Sequence, residues 1–391
     1  MRQPSGLRLG DLFSNRREMG GAGLPVLSVT LNDGLVDRAD LDRKQDSSLD
    51  PDQHLLVKAG DIAYNTMRMW QGAYGVANTE GLVSPAYVVL CPNEGINSKY
   101  ASYLFETPRL QHMFWAYSYG LTEDRLRLYF ADFARIPVWI PPIEDQCAVV
   151  AALEHWDRTL VVVDRLVEVA EEQLRLERAQ IIHAAAMHPN ARTSALEEVA
   201  KMVSGGTPAT GRAELWSGDV PWITAKDMKT FFVNSSEVMI SQAAKNGLRT
   251  VPKGTVLMLT RGMTLLRRVP ICVVGQEATF NQDVKALLPV PGVDAEYLAH
   301  ALKAREPHLL ALVDTAGHGT GRLDSDVLKD VPIPVPPISV QKAVAGAISA
   351  MERVVRNHQL MRSMLSEERD SLLRKWVGRE GTSARAASRR T

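Results

Sequence analysis

The sequence contains little cysteine and no long hydrophobic run. Its three cysteines, Cys91, Cys147 and Cys272, lie far apart, with no CxxC pair and no nearby pair of histidines. This spacing argues against a disulfide framework and against a zinc site, so we expect three ordinary thiols and no metal site. No stretch of 18 or more apolar residues occurs, and the first residues, MRQPSGLRLGDLF, lack the apolar run of a signal peptide. We therefore expect a cytoplasmic protein.

The common catalytic motifs are also missing. The chain has no GxGxxG, GxxxxGK[ST], HExxH or GxSxG segment. A DNA methyltransferase would need a glycine-rich loop after a strand and an Asn or Asp before two prolines and an aromatic residue, whereas IPPI and VPPI have neither Asn nor Asp. We therefore predict no enzymatic activity, no catalytic residue and no cofactor in this chain.

The chain has no excess of charge of either sign. It carries 45 Lys and Arg against 45 Asp and Glu, so it lacks the overall basic character that is usual for a nucleic-acid-binding protein. Counting by segment gives −2 for residues 1–142, −5 for 143–190, +1 for 191–337 and +6 for 338–391. Any contact with DNA must therefore depend on local basic patches.

The sequence repeats itself. RIPVWIPPIEDQ, Arg135–Gln146, returns 195 residues later as DVPIPVPPISVQ, Asp330–Gln341. With small gaps the match extends upstream, where VKAGDI aligns with VPKGTV and Tyr100 aligns with Tyr297. A self-match over most of the chain indicates an internal duplication, with a period far longer than that of solenoid repeats.

Each copy of the PPxxxQ ending precedes a long segment that predicts a helix. Gln146–Met187 is 42 residues without Gly or Pro, and Ser339–Val377, which has no Pro, repeats the plan less cleanly. The first segment is acidic and the second basic, so we expect them to pair antiparallel, and at ~1.5 Å per residue about 40 residues span ~60 Å. In the first helix the expected coiled-coil seam comprises Val149, Leu153, Trp156, Leu160, Val163, Val167, Ala170, Leu174, Ile181 and Ala184, and only Gln146 and Glu177 do not fit the pattern. In the second helix it comprises Val344, Ile348, Met351, Val355, Leu365, Leu372 and Trp376, and it is interrupted at His358, Arg362 and Arg369.

The remainder mixes short β-branched runs with short amphipathic helices. The predicted fold class is α+β: two tandem-duplicated mixed domains, separated by two long antiparallel coiled-coil helices and related by an approximate two-fold axis. The predicted order is domain 1 (1–142), a central helix (143–190), domain 2 (191–337), a C-terminal helix (338–378) and a basic disordered tail (379–391).

Several segments in a fixed order carry a family resemblance. They are GDIAYNTMR (Gly60–Arg68) followed by GLVSPAYVVLCP, then MVSGGTP (Met202–Pro208), GDVPWITAKDM (Gly218–Met228) and Asn281-Gln282, with the doubled PPxxxQ ending. In this order the chain resembles the specificity (S) subunit of type I restriction-modification enzymes over nearly its whole length. Domain 1 departs from the pattern because its entry segment contains no GGTP.

The resemblance implies a non-catalytic subunit with two target recognition domains. Each domain would read one half of a bipartite, asymmetric sequence in double-stranded DNA, and the helices would set the spacing and dock two methyltransferase (M) subunits. The partners would methylate adenine N6 with S-adenosylmethionine, and two motor-nuclease (R) subunits would use ATP with Mg²⁺ for restriction. All of these cofactors are expected on the partner subunits.

Base reading needs side chains that match base edges, such as Arg for guanine and Asn or Gln for adenine, beside others that hold phosphates. The candidates in domain 1 are Asn65, Arg68, Gln71, Tyr117, Tyr119 and Arg125. The candidates in domain 2 are Lys226, Lys229, Thr260, Arg261, Arg267, Arg268, Asn281, Gln282, His318, Thr320 and Arg322. Trp156 and Trp376, on otherwise aliphatic seams, are candidates for partner contact.

Other interpretations of these residues stay open at the level of sequence. Arg261 also fits a solvated strand end, Asn281-Gln282 a turn, and the glycines around His318 a flexible loop. Arg127 and Arg322 are equivalent in the duplication and fit a structural role in both copies. For the whole chain, the alternative is a two-domain coiled-coil adaptor that binds partners other than nucleic acid. Salt dependence of binding would distinguish the two.

Overall fold

The computed structural model of the protein forms two compact units. Unit 1 comprises Met1–Val162 and Ser363–Thr391, and unit 2 comprises Val163–Arg362. Both boundaries fall inside long helices, so each unit contains part of both. The predicted tail, residues 379–391, lies outside the described residues, and the predicted domain boundaries stay predictions. The structure describes residues 6–41, 49–122, 125–316 and 319–377.

Unit 1 consists of short strands and short helices followed by the start of a long helix. Its strands are β1 Phe13–Arg16, β2 Leu27–Val29, β3 Leu35–Asp37, β4 Leu55–Val57, β5 Ile62–Asn65, β6 Tyr74–Val76, β7 Gly81–Val83 and β8 Tyr87–Pro92. Its helices are α1 Leu9–Leu12, α2 Ser98–Glu106, α3 Pro108–Ala116, α4 Phe130–Phe133 and the first part of α5 Ile143–Ala186, with 3-10 turns at Arg38–Asp40, Pro51–Gln53 and Met69–Gln71.

The core of unit 1 is aromatic and lies beside the sheet of order β1-β8-β5-β6. Phe133 is fully buried, and its ring centroid lies 6.1 Å from that of Phe13, 5.9 Å from that of Phe105 and 6.1 Å from that of Phe114. Ring pairs at these distances stabilise a core by about 0.5–1.5 kcal/mol each beyond the area that they bury. The segment between residues 127 and 133 is thereby held against the sheet.

Unit 2 repeats this mixture. Its strands are β9 Arg192–Ala195, β10 Ala200–Ser204, β11 Val220–Ile223, β12 Phe232–Val233, β13 Met239–Ile240, β14 Thr250–Val251, β15 Val256–Leu259, β16 Arg261–Gly262, β17 Ile271–Val274, β18 Ala278–Phe280, β19 Val284–Pro289, β20 Asp314–Ala316, β21 Thr320–Arg322 and β22 Pro332–Val335. Its helices are α6 Leu196–Val199, α7 Gln242–Asn246, α8 Ala295–Ala304, α9 Glu306–Ala311, α10 Ser325–Lys329 and most of α11 Ile338–Trp376, with 3-10 turns at Ala213–Trp216 and Met263–Leu266.

Unit 2 contains a sheet of order β10-β19-β15-β17-β12 and a second of order β13-β11-β18-β14. Strands β15, β17 and β18 are buried at every position, as are residues Tyr297–Leu302 of α8, because layers of the unit cover them on both sides. Burial also raises the pKa of the Cys272 thiol to about 12, which leaves it protonated and unreactive. The strands therefore form a rigid base for the loops at their ends.

The repeated PPxxxQ ending has the same structural role in both units. The side chain of Gln146 is fully buried; its amide nitrogen donates to the carbonyls of Gly95 and Pro141, both at 2.9 Å, and its amide oxygen accepts from Asn97 N at 2.9 Å.

Gln341 repeats every one of these bonds. Its amide nitrogen donates to the carbonyls of Gly292 (3.1 Å) and Pro336 (2.7 Å), and its amide oxygen accepts from Asp294 N at 2.9 Å. Since Asn97 and Asp294 are the N-caps of α2 and α8, each glutamine joins the first turn of a long helix to a short helix of its domain. The duplication is thus visible in hydrogen bonds as well as in sequence.

The long helices run antiparallel within each unit. In unit 2, Asp164 accepts from Arg362 at 2.8 Å, Glu171 from Gln359 at 2.6 Å, and Glu352 from Arg178. As the residue number on α5 rises from Asp164 to Arg178, the residue number of the partner on α11 falls from Arg362 to Glu352. The two helices are therefore antiparallel in this unit.

In unit 1, Arg369 donates to Asp157 at 2.9 Å and forms an ion pair with Glu106 at 2.9 Å. Arg362 and Arg369, which interrupt the predicted seam, therefore carry the attraction between the acidic and the basic helix.

The seam follows the straight-helix period rather than the heptad. Leu153, Val163 and Leu174 are buried as predicted. Further along, however, Ile182 and Ala185 are buried, while Ala184 is exposed. An α-helix advances by 3.6 residues per turn, so the buried stripe drifts away from a strict heptad over several turns. Among the described residues, no helix is long and apolar enough to cross a membrane.

Candidate nucleic-acid interface

The glycine-rich segment and the Asn281-Gln282 segment of unit 2 lie against each other. Gly206 N donates to the carbonyl of Phe280 at 2.9 Å, and the Thr207 hydroxyl donates to the side-chain oxygen of Gln282. A Cβ atom at Gly205 would lie 2.1 Å from the carbonyl oxygen of Phe280, so this close approach requires glycine. The GGTP sequence is therefore needed to support the loop that carries Gln282.

A third loop joins them because β11 and β18 are parallel and end at the same edge. Ile223 pairs with Phe280, and Asn281 N donates to the carbonyl of Ile223 at 3.0 Å. The turn after β11 is held by Asp227, whose carboxylate accepts from Thr224 N at 2.8 Å. Lys226 lies exposed in that turn. The structure thus brings Lys226 to the same edge as Asn281 and Gln282.

A threonine connects this edge to two arginines. Thr260 is only 5% exposed; its backbone N (2.8 Å) and its hydroxyl (3.0 Å) both donate to the carbonyl of Asp283. The next residue, Arg261, pairs directly with Arg322 across β16 and β21, and both side chains are exposed. We call Gly205–Thr207, Thr224–Lys226, Arg261, Asn281–Gln282 and Arg322 the loop surface of unit 2.

The remaining candidates of unit 2 lie elsewhere or are partly used. Lys229 forms an ion pair with Glu237 at 3.5 Å, and Lys229 and Arg268 line a cavity on the side of the long helices. Arg267 is exposed at the end of the 3-10 turn, and Thr320 is half-buried in β21. His318 lies outside the described residues.

Unit 1 contains a cleft of about 780 Å³ that holds one of its predicted residues, Asn65. Asn65 pairs with Tyr87 across β5 and β8, and its side-chain oxygen accepts from Met67 N at 3.0 Å. The other polar and aromatic residues that line the cleft are Asn15, Arg17, Thr66, Tyr87, Arg127, Tyr129 and Phe130.

Sequence reasoning missed Asn15, Arg17 and Tyr129 as site candidates. Asn15 lies in β1 and Arg17 follows directly after the strand; the period of an extended chain places residues two apart on one face. That alternation was the available signal. Tyr129 is 49% exposed beside them, so the cleft combines an amide, a guanidinium and an aromatic ring.

The other candidates of unit 1 lie outside the lining of this cleft. Arg68, Gln71 and Arg125 are exposed, and Tyr119, 58% exposed, pairs with Arg127 in an isolated bridge. Tyr117 is half-buried against the core. The roles of all these candidates in binding stay predictions.

The two tryptophans proposed for partner contact have different surroundings. Trp376 packs against the core of unit 1, and Trp156 is half-buried on α5. Among the described residues, no group of three or more His, Cys, Asp or Glu could hold a metal ion.

The two units share the framework of the site but differ in its side chains. Thr66 is the counterpart of Thr260: its hydroxyl donates to the carbonyl of Ala86 at 3.2 Å, and its carbonyl accepts from Leu128 N at 2.9 Å, as that of Thr260 accepts from Leu323 N at 2.9 Å. The residue after the threonine is Met67 in unit 1 and Arg261 in unit 2.

Comparison with known proteins identifies relatives for part of the chain by sequence and for nearly all of it by fold. Residues 190–361 match the family model "Type I restriction modification DNA specificity domain". The EcoR124I/EcoR124II specificity subunit of Escherichia coli is 29% identical over 165 residues, which is 41% of each chain. The MjaIX specificity subunit of Methanocaldococcus jannaschii is 29% identical over 190 residues, 46% of this chain and 42% of the relative. Each match thus spans about two fifths of the relative's length.

Two solved structures share the fold. One, described as the structural basis of complex assembly and conformational transition of the type I R-M system, has a TM-score of 0.58 at 17% identity and covers 96% of this chain and 99% of its own. The other, the type I restriction-modification system S subunit from M. genitalium, has a TM-score of 0.56 at 15% identity and covers 96% and 98%. The predicted α+β class with two mixed domains and two long helices is confirmed. Residues 190–361 thus match the type I restriction modification DNA specificity domain, and the chain is similar to specificity subunits of type I restriction enzymes.

Proposed function

We propose that this chain reads a bipartite, asymmetric site in double-stranded DNA, with one half-site contacted by each unit. The observation that carries this proposal is the shared threonine framework with different neighbours. Thr66 and Thr260 make equivalent hydrogen bonds, whereas the exposed residues that follow are Met67 and Arg261. A common framework that presents different side chains suits two different base sequences.

The side chains on offer match base edges and phosphates. In unit 2, Arg261 would donate two hydrogen bonds to guanine O6 and N7, and Gln282 would pair with adenine. Lys226 would contact a phosphate and so fix the register without reading a base. In unit 1, Asn65 and Arg17 in the cleft would read base edges, with Tyr129 providing a face for stacking or apolar contact.

The chemistry of the complex belongs, in this proposal, to other chains. The chain itself is non-catalytic and binds two methyltransferase subunits along its long helices, with Trp156 and Trp376 among the contacts. Those subunits use S-adenosylmethionine to methylate adenine N6, and two motor-nuclease subunits with ATP and Mg²⁺ complete the restriction complex. Since the proposed target is cellular DNA, the place of action is the cytoplasm. Support comes from the relatives, which are named as specificity subunits of type I enzymes.

The first experiment maps N6-methyladenine across the host genome with this gene intact and with it deleted, leaving neighbouring genes untouched. The expected result is one motif, two short halves around a fixed unspecified gap, that is methylated only when the gene is present. Methylation that is unchanged by the deletion, in a strain whose methyltransferase gene is expressed, would contradict the proposal.

Complementing the deletion with Arg261→Gln then tests the site. A bidentate arginine–guanine contact contributes about 1–3 kcal/mol of discrimination, so one position of one half-site should become degenerate. Lys253→Gln is the matched control, because Lys253 is an exposed cation of unit 2 in a turn outside the loop surface. Loss of specificity at both half-sites would refute base reading by Arg261, and a uniform loss of affinity would make it a phosphate contact.

The alternative function, an adaptor for partners other than nucleic acid, is not favoured by the family match. Its distinguishing property is weak salt dependence. Neutralisation of several phosphates makes DNA affinity fall steeply as salt rises, and a duplex titration at two salt concentrations measures this slope directly.

A further inference from the structure

The cavity of unit 2 that Lys229 and Arg268 line has a volume of about 270 Å³, and the proposed DNA contact by the loop surface does not use it. It lies where α5 and α11 meet the loop before β12, the loop before β17 and the end of α8. Its lining includes six cationic side chains and three carboxylates. The cations are Arg175, Arg178, Lys229, Arg268, Lys303 and Arg356, and the carboxylates are Glu171, Glu306 and Glu352.

The carboxylates are already engaged. Glu352 is bonded to Arg178, Glu171 accepts from Gln359 at 2.6 Å, and Glu306 accepts from Val269 N at 2.7 Å. They neutralise half of the positive charge at most. Arg175 and Lys229 are paired with two further carboxylates, Glu172 and Glu237, so the cavity keeps an excess of one positive charge.

Four of the cations have donors that no other group of the described residues accepts, and one of these donors is buried. Within the described part of the chain, Arg268, Lys303 and Arg356 make no ion pair and no side-chain hydrogen bond. Arg178 is 6% exposed, and its Nε atom is buried without an acceptor. A buried guanidinium donor without a partner costs free energy that a bound anion would recover.

The electrostatics of Lys303 point the same way. Burial lowers the pKa of its ammonium group, and Arg178 and Arg268 lower it further, against the opposite effects of Glu352 and Glu306. The three neighbouring cations Lys303, Arg178 and Arg268 therefore repel one another in the lining of the cavity. An anion placed among them would relieve this repulsion.

One wall of the cavity is apolar. Phe231, Phe232, Val269, Pro270 and Ile271 form it, and Phe231 is 4% exposed. Apolar walls keep water out and strengthen the attraction between charges inside. A site that combines guanidinium groups, an ammonium group and an apolar wall binds oxyanions in preference to neutral ligands.

We propose that this cavity binds a phosphate group, held by the buried Arg178 and by the three unpaired cations around it. A phosphate group fits better than a single carboxylate because its charge at neutral pH approaches −2 and it offers three acceptor oxygens to several donors at once. The inference does not depend on how the chain reads DNA. The phosphate can belong to a small phosphorylated molecule or to the backbone of a duplex.

Binding of sodium pyrophosphate to the full chain tests the proposal, by calorimetry and by thermal unfolding, with sodium sulfate at equal ionic strength as the reference. We expect pyrophosphate to bind and to raise the Tm more than sulfate does. Lys303→Met and Arg268→Gln should each weaken Kd about tenfold, the value of one charge-assisted hydrogen bond. Lys253→Met, which removes an exposed lysine of the same unit, should bind as the wild type does.

Two outcomes would overturn the proposal. One is pyrophosphate binding no tighter than sulfate, and the other is equal binding by the wild type, Lys303→Met and Arg268→Gln. Arg268 is exposed, so its variant stays informative even where Lys303→Met fails to fold.

Competition identifies the source of the phosphate. Pyrophosphate that weakens binding of a random-sequence duplex to the wild type, but not to Arg268→Gln, assigns the site to the DNA backbone. Pyrophosphate that binds without affecting duplex affinity assigns it to a small phosphorylated molecule.

Discussion

Replacing the buried glutamine at the start of the first long helix should destabilise unit 1 strongly. Gln146 is 0% exposed, and its three hydrogen bonds join Gly95, Pro141 and Asn97. Gln146→Ala leaves two carbonyls and one N–H without these partners. At about 1 kcal/mol of net stabilisation for each neutral hydrogen bond, we expect a loss of about 3 kcal/mol in the free energy of unfolding. The loss is large against a total stability of about 5–15 kcal/mol.

Denaturant unfolding of the full chain measures the size of the loss, and amide hydrogen exchange locates it. Gln146→Ala should raise exchange at the start of α2, near Asn97, whereas Gln341→Ala should raise it at the start of α8, near Asp294. Gln173→Ala is the control: Gln173 is exposed on α5, and its replacement should change stability by less than about 0.5 kcal/mol.

The reasoning is refuted if Gln146→Ala costs less than about 1 kcal/mol, because the three bonds would then be replaced by water at no cost. It is also refuted if either variant raises exchange equally at both short helices. That result would mean that the glutamines act on the whole chain rather than on the unit in which each is buried.

Two further predictions concern buried charge. Arg369→Met should lower the free energy of unfolding by about 3 kcal/mol, because Arg369 is 15% exposed and pairs with two carboxylates. Arg362 is 49% exposed, so Arg362→Met should lower it by less than about 1 kcal/mol in the same denaturant measurement. Similar losses in the two variants would contradict the argument from burial. Burial, with the nearby Arg178, lowers the pKa of His300 well below 6.5. Below pH 6.5 the histidine therefore binds a proton in the unfolded chain but not in the folded chain. The free energy of unfolding then falls by up to about 1.4 kcal/mol for each unit by which the pH is lowered. His300→Gln should remove this slope in denaturant titrations at several pH values and His308→Gln, exposed, should keep it; an unchanged slope in His300→Gln would show that other groups cause it.

The duplication could be predicted from sequence because it depends on residues whose roles are local. A Pro-Pro pair ends a strand, and an uninterrupted segment without Gly or Pro predicts a helix. The buried position of Gln146 could not be predicted in this way. Its partners, Gly95 and Asn97, are about 50 residues distant in sequence, and a polar residue off the heptad reads as solvent-exposed until those partners are placed.

The candidate site was predicted only in part, for a similar reason. Asn281 and Gln282 were recognisable from their chemistry, and the structure places them beside the glycine loop. Arg267 and Arg268 were both candidates for DNA contact, yet Arg268 lines the cavity beside the long helices and Arg267 does not. Neighbouring residues in a turn point in different directions, and sequence alone does not say which one faces the interface.

Comparison of equivalent positions in the two units distinguishes residues that maintain the fold from candidates for base recognition. Residues that the two copies share, such as Thr66 and Thr260 or Gln146 and Gln341, make the same hydrogen bonds in both, so selection for the common fold explains them. A residue that reads a base has the opposite requirement, because identical readers would give identical half-sites. The position after each threonine is exposed in both units and differs in chemistry. Under the proposed function, exchanging Met67 and Arg261 should alter which bases are read while leaving the hydrogen bonds that hold the framework intact.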